Sequence, residues 1–385
     1  MLQVISTPPF AWETGGCARV VYDLSRHLAE RGNEINILTT DMYKPNQRYC
    51  LTDNKEDGLN IIRFKNISNS LAWKYKLYLS PGMIKYLKNN LNCYDVVHLQ
   101  DLISGAAIAT ARYCKKYKIP YVLTSHGSLP WLMEENIQNR FFSLLGGRKI
   151  LDNASKVIAL NKTEKESFEK LNVPPEKIEV IPNGVDLSIY SKLPKKGEFK
   201  KKYGVAEYEK IILYLGRIHK SKGINMLVES FLSIKNRLNN VKLVIVGPDD
   251  GFLDVLIKQI HYSDIAGDVI FTGPLHGLNK IEAYVDADLF VTPSFSGFPL
   301  TFLESCICGT PIITTNKIEE LDWINGNVGF VVGYSSDQIS EIILKILDDD
   351  GLLSKLSINS VCFVKENFGW DKISESVERL YYEVL

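Results

Sequence analysis

An α/β fold built from two similar domains is predicted by three features of the chain. Short runs rich in Val, Ile and Leu alternate with longer amphipathic stretches, the pattern of parallel strands joined by crossover helices. The length of 385 residues exceeds what one ordinary hydrophobic core organises, and at roughly 150 to 200 residues per domain it suggests two. The strand-helix rhythm also breaks near residues 183–203 and then starts again.

In the first half, strands are expected at 2–5, 34–39, 59–64, 95–99, 120–125, 156–160 and 178–182, with helices at 16–31, 81–92, 104–117, 136–152 and 163–171. In the second half, strands are expected at 211–215, 241–246, 268–271, 288–291, 311–313 and 328–332. Helices should fall at 222–237, 252–262, 277–285, 299–308, 336–349, 352–366 and 371–384. The stretch 183–203 gathers Lys192, Lys195, Lys196, Lys200, Lys201 and Lys202 around Pro194 and Gly197 without a strand or helix period, so it reads as a solvated connector. Domains are therefore expected at 1–182 and 204–368, with 369–385 as a final helix.

Composition narrows the function classes. Lys+Arg and Asp+Glu are equal at 45 each, so nothing global points to nucleic acid. Residues 1–170 carry 23 Lys+Arg against 16 Asp+Glu, and this basic first half suits either a solvated face or docking on an anionic lipid surface. The opening MLQVISTPPF has no basic start, apolar stretch or cleavage site of an export signal, and no segment reaches the roughly 20 apolar residues of a bilayer span. Cys17, Cys50, Cys93, Cys114, Cys306, Cys308 and Cys362 show no zinc-like spacing and read as reduced, mostly buried thiols of a cytoplasmic protein. No metal site is expected. Asp249-Asp250 are adjacent, unlike spaced metal-binding aspartates, and as a turn they need no further role.

Four segments have the chemistry of a site. Gly15-Gly16 follows the first strand and opens a helix, where free amides and the helix dipole favour an anion. Taken singly the pair fits a plain turn equally well. His126, before Gly127, stands at the carboxyl end of strand 120–125, where open α/β sheets place ligands. Arg217 and Lys222 lie in the first strand-helix loop of the second half, and two fixed cations there suit a diphosphate, the alternative being a solvated basic turn.

The fourth segment, PSFSGFPLTFLE at 293–304, is the most informative. Gly297 frees the backbone and Pro299 suits a first helical turn. The amides of Leu300 and Thr301 should then point from the helix start towards negative charge. Glu304 lies one turn further, among Phe302, Leu303, Cys306 and Ile307, where an ionised group is rarely left without a partner. A carboxylate there suits both hydroxyls of a ribose.

Taken together, Gly15-Gly16, His126-Gly127, Asn183-Gly184-Val185-Asp186, Gly216-Arg217 with Lys222-Gly223, SGFPLTFLES and CGTPIITT resemble the retaining glycosyltransferases of family 4 over essentially the whole chain. The resemblance implies the GT-B fold, two facing Rossmann-like domains with a cleft between them, and a C-terminal helix that returns to the first domain. It implies that Arg217 and Lys222 bind the diphosphate of a nucleoside-diphosphate sugar, Glu304 its ribose, and Gly297, Phe298, Pro299, Leu300 and Thr301 the sugar hydroxyls and phosphate. By the same resemblance His126 lies by the donor sugar, and Gly15 and Gly16 approach the phosphate. The implied activity is metal-independent and cofactor-free transfer, with retention by front-face attack, to a glycan or lipid-linked acceptor in polysaccharide or glycolipid assembly. The family carries two glutamates eight positions apart; eight before Glu304 stands Ser296. That departure motivates an altered sugar pocket or a catalytically silent nucleotide-sugar-binding protein. Nucleotide-sugar epimerases and phosphorylases share the scaffold and form the other alternative.

Overall fold

The computed structural model describes all residues except 5–15, 45, 50–53, 57, 76–77, 101, 135–136, 262, 296 and 317–321. Gly15 and Ser296 lie outside the described residues. The chain forms two compact units, Met1–Gly184 with Trp370–Leu385, and Val185–Gly369.

The second unit shows most directly how sequence becomes fold. Its six strands are parallel and ordered Val269–Gly273, Val241–Val246, Lys210–Leu215, Leu289–Thr292, Ile312–Thr315, Gly329–Val332. Along the central strands alternate residues serve opposite faces. Ile211, Leu213, Val244 and Val246 pack with Phe290, Phe302 and Leu303, whereas Ile212, Tyr214, Leu243 and Ile245 pack with Leu227, Phe231 and Ile343. A sheet covered by helices on both faces calls for apolar residues on both sides of its strands, which explains the continuous LVIV and IILYL runs within VKLVIV and KIILYL. In chain order the strands run 3-2-1-4-5-6, the doubly wound order, which reverses between Lys210–Leu215 and Leu289–Thr292.

The first unit repeats this plan. Its sheet runs Ile178–Val180, Lys156–Ala159, Tyr121–Thr124, Val97–Leu99, Leu2–Val4, Ile35–Thr40, Leu59–Phe64, Asn54–Glu56, and only the last strand is antiparallel to its neighbour. The reversal falls between Leu2–Val4 and Val97–Leu99, paired in register Gln3↔His98. One face is filled by Leu2, Val4, Val97, Leu99, Leu123 and Val157 against Leu87, Ala107, Ala111 and Phe168. The C-terminal helix Trp370–Val384 belongs to this unit, burying Trp370, Ile373, Val377, Leu380 and Tyr381. Its Glu378 accepts from Arg31 Nε at 2.8 Å and from Asn33 Nδ2 at 2.6 Å.

Several elements differ from the sequence reading. The helix expected at 136–152 is two, Ile137–Leu144 and Arg148–Asn153. Gly146-Gly147, poor helix formers, interrupt it, and the Gly147 amide turns back to the Phe142 carbonyl. The segment 183–203 is not a featureless linker, because the second unit begins at Val185 and Glu198–Tyr203 is helical. Asp286 accepts from the amides of Gly197 at 2.5 Å and Lys200 at 2.9 Å, capping that helix. Lys200 is buried, its ammonium donating to the carbonyls of Glu207 and Glu209 at 3.1 and 2.6 Å. Among the described cysteines Cys114, Cys306 and Cys308 are buried, but Cys93 and Cys362 are exposed. Among the described residues no helix is long and apolar enough to cross a membrane.

Candidate functional site

Both loops that flank the strand reversal of the second unit carry residues singled out above. After Lys210–Leu215 the chain passes through Gly216, Arg217 and the 3-10 turn Lys220–Lys222 before the helix Ile224–Lys235. The loop is laced to its neighbour: the Gly216 amide donates to Val246, Ile218 to Pro248 and Asp250 to Ile218, at 2.9, 2.9 and 3.0 Å. Tyr214 Oη donates to the Arg217 carbonyl at 2.9 Å. Arg217 Nη1 donates to Asp250 Oδ2 at 2.5 Å with both side chains largely exposed, at 61% and 42%. Asp250 therefore has a partner that the turn reading did not give it. Asp249 meanwhile accepts from the amides of Gly251, Phe252 and Leu253, opening the helix Leu253–His261.

Lys222 is half-buried, and its ammonium has no ion-pair or hydrogen-bond partner among the described residues. Burial, and then the Arg217 charge, lower its pKa below the ordinary lysine value. The turn that carries it lies against the loop after Leu289–Thr292: a Cβ on Gly223 would stand 3.1 Å from Pro293 Cβ. Arg217 and Lys222 thus share one end of the sheet with Pro293, at the head of the segment that leads to Pro299.

In that segment Gly297 takes a positive φ of 67°, and Pro299 stands at the cap position, with the helix starting at Leu300 rather than at the proline. Phe298, Leu300 and Thr301 are half-buried at the helix entrance. The hydroxyl of Ser294 is buried and has no hydrogen-bond partner among the described residues. Glu304 has the partners its apolar neighbourhood requires: Lys280 Nζ donates to Oε1 at 2.6 Å and Tyr284 Oη to Oε2 at 3.1 Å. Lys280 and Tyr284 are four apart on the helix Gly277–Asp286, so both face the same carboxylate. Two of the roughly four acceptor positions of a carboxylate are used. The sequence reading did not single out Lys280, Tyr284 or Ser294; the four-residue spacing of Lys280 and Tyr284 was the available signal.

In the first unit, strand Tyr121–Thr124 ends in a turn where His126 adopts φ 50°, unusual for a residue with a Cβ. Glu164, at the start of helix Lys162–Lys170, holds this turn. Its Oε1 accepts from the Ser125 hydroxyl and, at 3.0 Å, from the Gly127 amide, and its Oε2 accepts from Leu160 N at 2.7 Å. His126 Nε2 is 2.8 Å from Gln100 Oε1. Gln100 follows strand Val97–Leu99, beside the strand reversal, and its amide donates to the Val4 carbonyl at 3.0 Å. Gly16 is exposed as the first residue of helix Gly16–Glu30, and Cys17 Sγ of the same turn lies 3.6 Å from the Gln100 carbonyl. Burial lowers the pKa of His126 to about 4, and that of buried His98, one strand away, to about 3, so both rings are neutral near pH 7. Glu164 and Gln100 were not singled out by sequence either. Both act across 26 or more residues, beyond any local pattern.

Known proteins resemble this chain throughout. The model of Glycosyltransferase Family 4 matches residues 14–189, and that of Glycosyl transferases group 1 matches residues 195–360. An uncharacterized glycosyltransferase of Methanocaldococcus jannaschii is 26% identical over 95% of this chain and 94% of its own length. The N-acetyl-alpha-D-glucosaminyl L-malate synthase of Bacillus anthracis is 27% identical over 96% of this chain and 94% of its own. Among solved structures, Anabaena HepE in complex with UDP aligns with a TM-score of 0.78 at 17% identity, covering 99% of each chain. Sucrose-phosphate synthase from Thermosynechococcus elongatus gives 0.78 at 20% identity over 99% of this chain and 98% of its own. Two family matches that between them span most of the chain, and a doubly wound sheet in each unit, parallel but for one edge strand, lead to one conclusion: the chain belongs to the family 4-like glycosyltransferases of the GT-B fold.

Proposed function

We propose that this glycosyltransferase moves a sugar from a nucleoside-diphosphate sugar to a hydroxyl of a glycan or lipid-linked acceptor, with retention of anomeric configuration. The observation that carries the reading is Lys222, a half-buried cation with no anionic partner among the described residues, beside Arg217 at the strand reversal of the second unit. A site that keeps two cations within electrostatic reach, one of them partly desolvated, is compensated when a diphosphate binds. The first amides of helix Leu300–Ile307 add donors on the same sheet end.

In this reading the acceptor oxygen bonds to the anomeric carbon as the carbon-oxygen bond to the diphosphate breaks. The acceptor proton passes to the departing phosphate oxygen on the same face. Arg217, Lys222 and the amides of Leu300 and Thr301 stabilise the charge that develops there, and this does not call for a divalent cation. Glu304 takes the ribose hydroxyls with the acceptor positions that Lys280 and Tyr284 leave open. His126 lies by the donor sugar, and Ser296 in place of the family's first glutamate selects a sugar that does not require that carboxylate. The HepE protein has been solved with UDP-glucose, and the Bacillus relative is named for N-acetylglucosaminyl malate synthesis, so uridine-diphosphate hexoses are the first donors to test.

The test is release of free nucleoside diphosphate from a panel of nucleotide-sugars, with and without a lipid acceptor and with and without chelator, followed by the anomeric configuration of the product. Release that depends on acceptor and survives chelator is expected. Arg217→Ala and Lys222→Ala should each lower turnover by about 3 kcal/mol, roughly 100-fold. Conversion of the donor without acceptor, or binding without turnover, would overturn the reading. Peripheral contact with an anionic membrane is proposed on the basic first half and on exposed Met133, Leu144 and Leu145. Failure to co-sediment with anionic vesicles at low salt would remove that part.

A further inference from the structure

A chain of buried side chains links the C-terminal helix to His126, all within the first unit. Gln3 Nε2 faces Met1 Sδ at 3.6 Å and Tyr381 Oη at 3.2 Å. Thioether sulfur only accepts, so this contact orients the Gln3 amide with its nitrogen towards Met1. Gln3 Oε1 then accepts from Gln100 Nε2 at 2.8 Å, and Gln100 Oε1 is left to face His126 Nε2 at 2.8 Å. A carbonyl oxygen cannot donate, so the proton on that contact belongs to His126. On the other branch the Tyr381 oxygen already receives Gln3, so its hydroxyl hydrogen points to His98 Nδ1 at 2.6 Å, and His98 Nε2 donates to Thr124 Oγ1 at 2.8 Å. Gln100 Nε2, 3.1 Å from His98 Nδ1, also requires that nitrogen to accept.

We propose that Gln100, oriented through Gln3 and Tyr381, fixes His126 as the neutral tautomer protonated on Nε2, so that Nδ1 is kept as a hydrogen-bond acceptor. Gln100 and Tyr381 are positioning residues. The consequence for catalysis rests on the reading that His126 lies by the donor sugar, where a fixed acceptor nitrogen would select a sugar hydroxyl as donor. The titratable groups around His126 agree with a neutral ring. His98 is itself uncharged, Glu164 is occupied by Ser125 and two backbone amides, and Tyr381 is buried. A cavity of ≈ 20 Å³ beside the ring is lined by apolar Val20, Leu24, Leu160 and Ile373 together with the uncharged Thr124 and Asn183. The device also accounts for the burial of Tyr381 on a helix that lies, in sequence, 255 residues after the histidine it orients.

The experiment is long-range nitrogen-proton correlation on the full chain with ¹⁵N-labelled histidine, with the His126 signals assigned by their loss in His126→Asn. The expected result is a single neutral form protonated on Nε2 from pH 8 to about pH 5. In Gln100→Leu, and in the milder Tyr381→Phe, whose fold is checked by circular dichroism, His126 should become a mixture of tautomers. Protonation on Nδ1 in the wild type would overturn the proposal, as would an unchanged Nε2-protonated tautomer in both folded variants. Turnover is measured in parallel and is expected to fall in both variants while the donor KM stays near that of the wild type. The resonances report the tautomer whether or not any sugar is transferred, so absent transfer would count against the glycosyltransfer reading alone.

Discussion

Asp250→Asn tests whether Arg217 waits for an anionic ligand. The guanidinium is paired with Asp250 at 2.5 Å, and a diphosphate approaching Arg217 has to compete with that carboxylate. The pair is largely exposed, 61% on Arg217 and 42% on Asp250, so it belongs with surface ion pairs worth about 0.2 to 1 kcal/mol. Releasing that amount into ligand binding lowers the dissociation constant by roughly 1.4- to 5-fold, at about 1.4 kcal/mol per tenfold. Removing a negative charge near the ligand acts in the same direction. The assay is calorimetric titration with nucleoside diphosphates at low and at moderate salt, because screening over a length of about 10 Å at 0.1 M should shrink the gain. Weaker binding by Asp250→Asn would show that the carboxylate aligns Arg217 for the ligand. Unchanged binding at low salt, with Arg217→Ala also unchanged, would place the diphosphate elsewhere.

Two further outcomes follow from geometry and burial. Gly247→Ala would set a Cβ 1.8 Å from the Gly216 carbonyl oxygen at φ 150°, so the loops that carry Arg217 and Asp250 have to separate. The loss should be at least about 2 to 3 kcal/mol of strain and broken hydrogen bonds, read as a lower thermal midpoint; an unchanged midpoint refutes it. Neutral His98, buried, and His126, half-buried, have folded pKa values of about 3 and about 4 against 6.5. The unfolded chain therefore takes up protons first, so this contribution is full above pH 6.5 and is lost as pH falls towards 4 and then 3. Between pH 6.5 and 5 each histidine should cost the first unit roughly 2 kcal/mol. Urea midpoints measured against pH should show this slope and a shallower one in His98→Gln; a flat wild-type profile over that window would refute it.

The sheet of the second unit was legible almost to the residue. Strands expected at 241–246 and 288–291 are found at Val241–Val246 and Leu289–Thr292, because a strand covered on both faces is a mainly apolar run, here ended by Gly247 and Pro293. What escaped was short: the edge strand Asn54–Glu56, the hairpin Met42–Lys44 with Gln47–Arg48, and the helix Asn69–Tyr75. No apolar period marks these pieces. The hairpin and the neighbouring turn are tied by Asp41, which accepts from Arg48 Nη1 at 2.9 and 2.7 Å and from the Asn66 amide at 2.8 Å, partners 7 and 25 residues away.

The candidate site divides along the same physical line. Arg217, Lys222, His126 and the 297–301 segment were found because the end of a parallel strand and the start of the next helix are recognisable locally, and α/β folds place ligands there. Groups that act through a partner distant in sequence were not. Two glutamates make the contrast. Glu304 stood out because Phe302, Leu303, Cys306 and Ile307 promise a buried carboxylate, and a buried carboxylate demands partners, which proved to be Lys280 and Tyr284. Glu164 is the more deeply buried of the two and accepts three hydrogen bonds around His126, yet in KTEKESFEK it is one charge among several on a polar helix. Its partners Ser125 and Gly127, in the turn after strand Tyr121–Thr124, lie 39 and 37 residues away in sequence. An apolar neighbourhood in sequence thus reveals a buried charge when the burial is local, and it is silent when another element provides the burial. Gln100 and Tyr381 belong to the second kind, which is why the tautomer of His126 can be read from the fold and not from the chain.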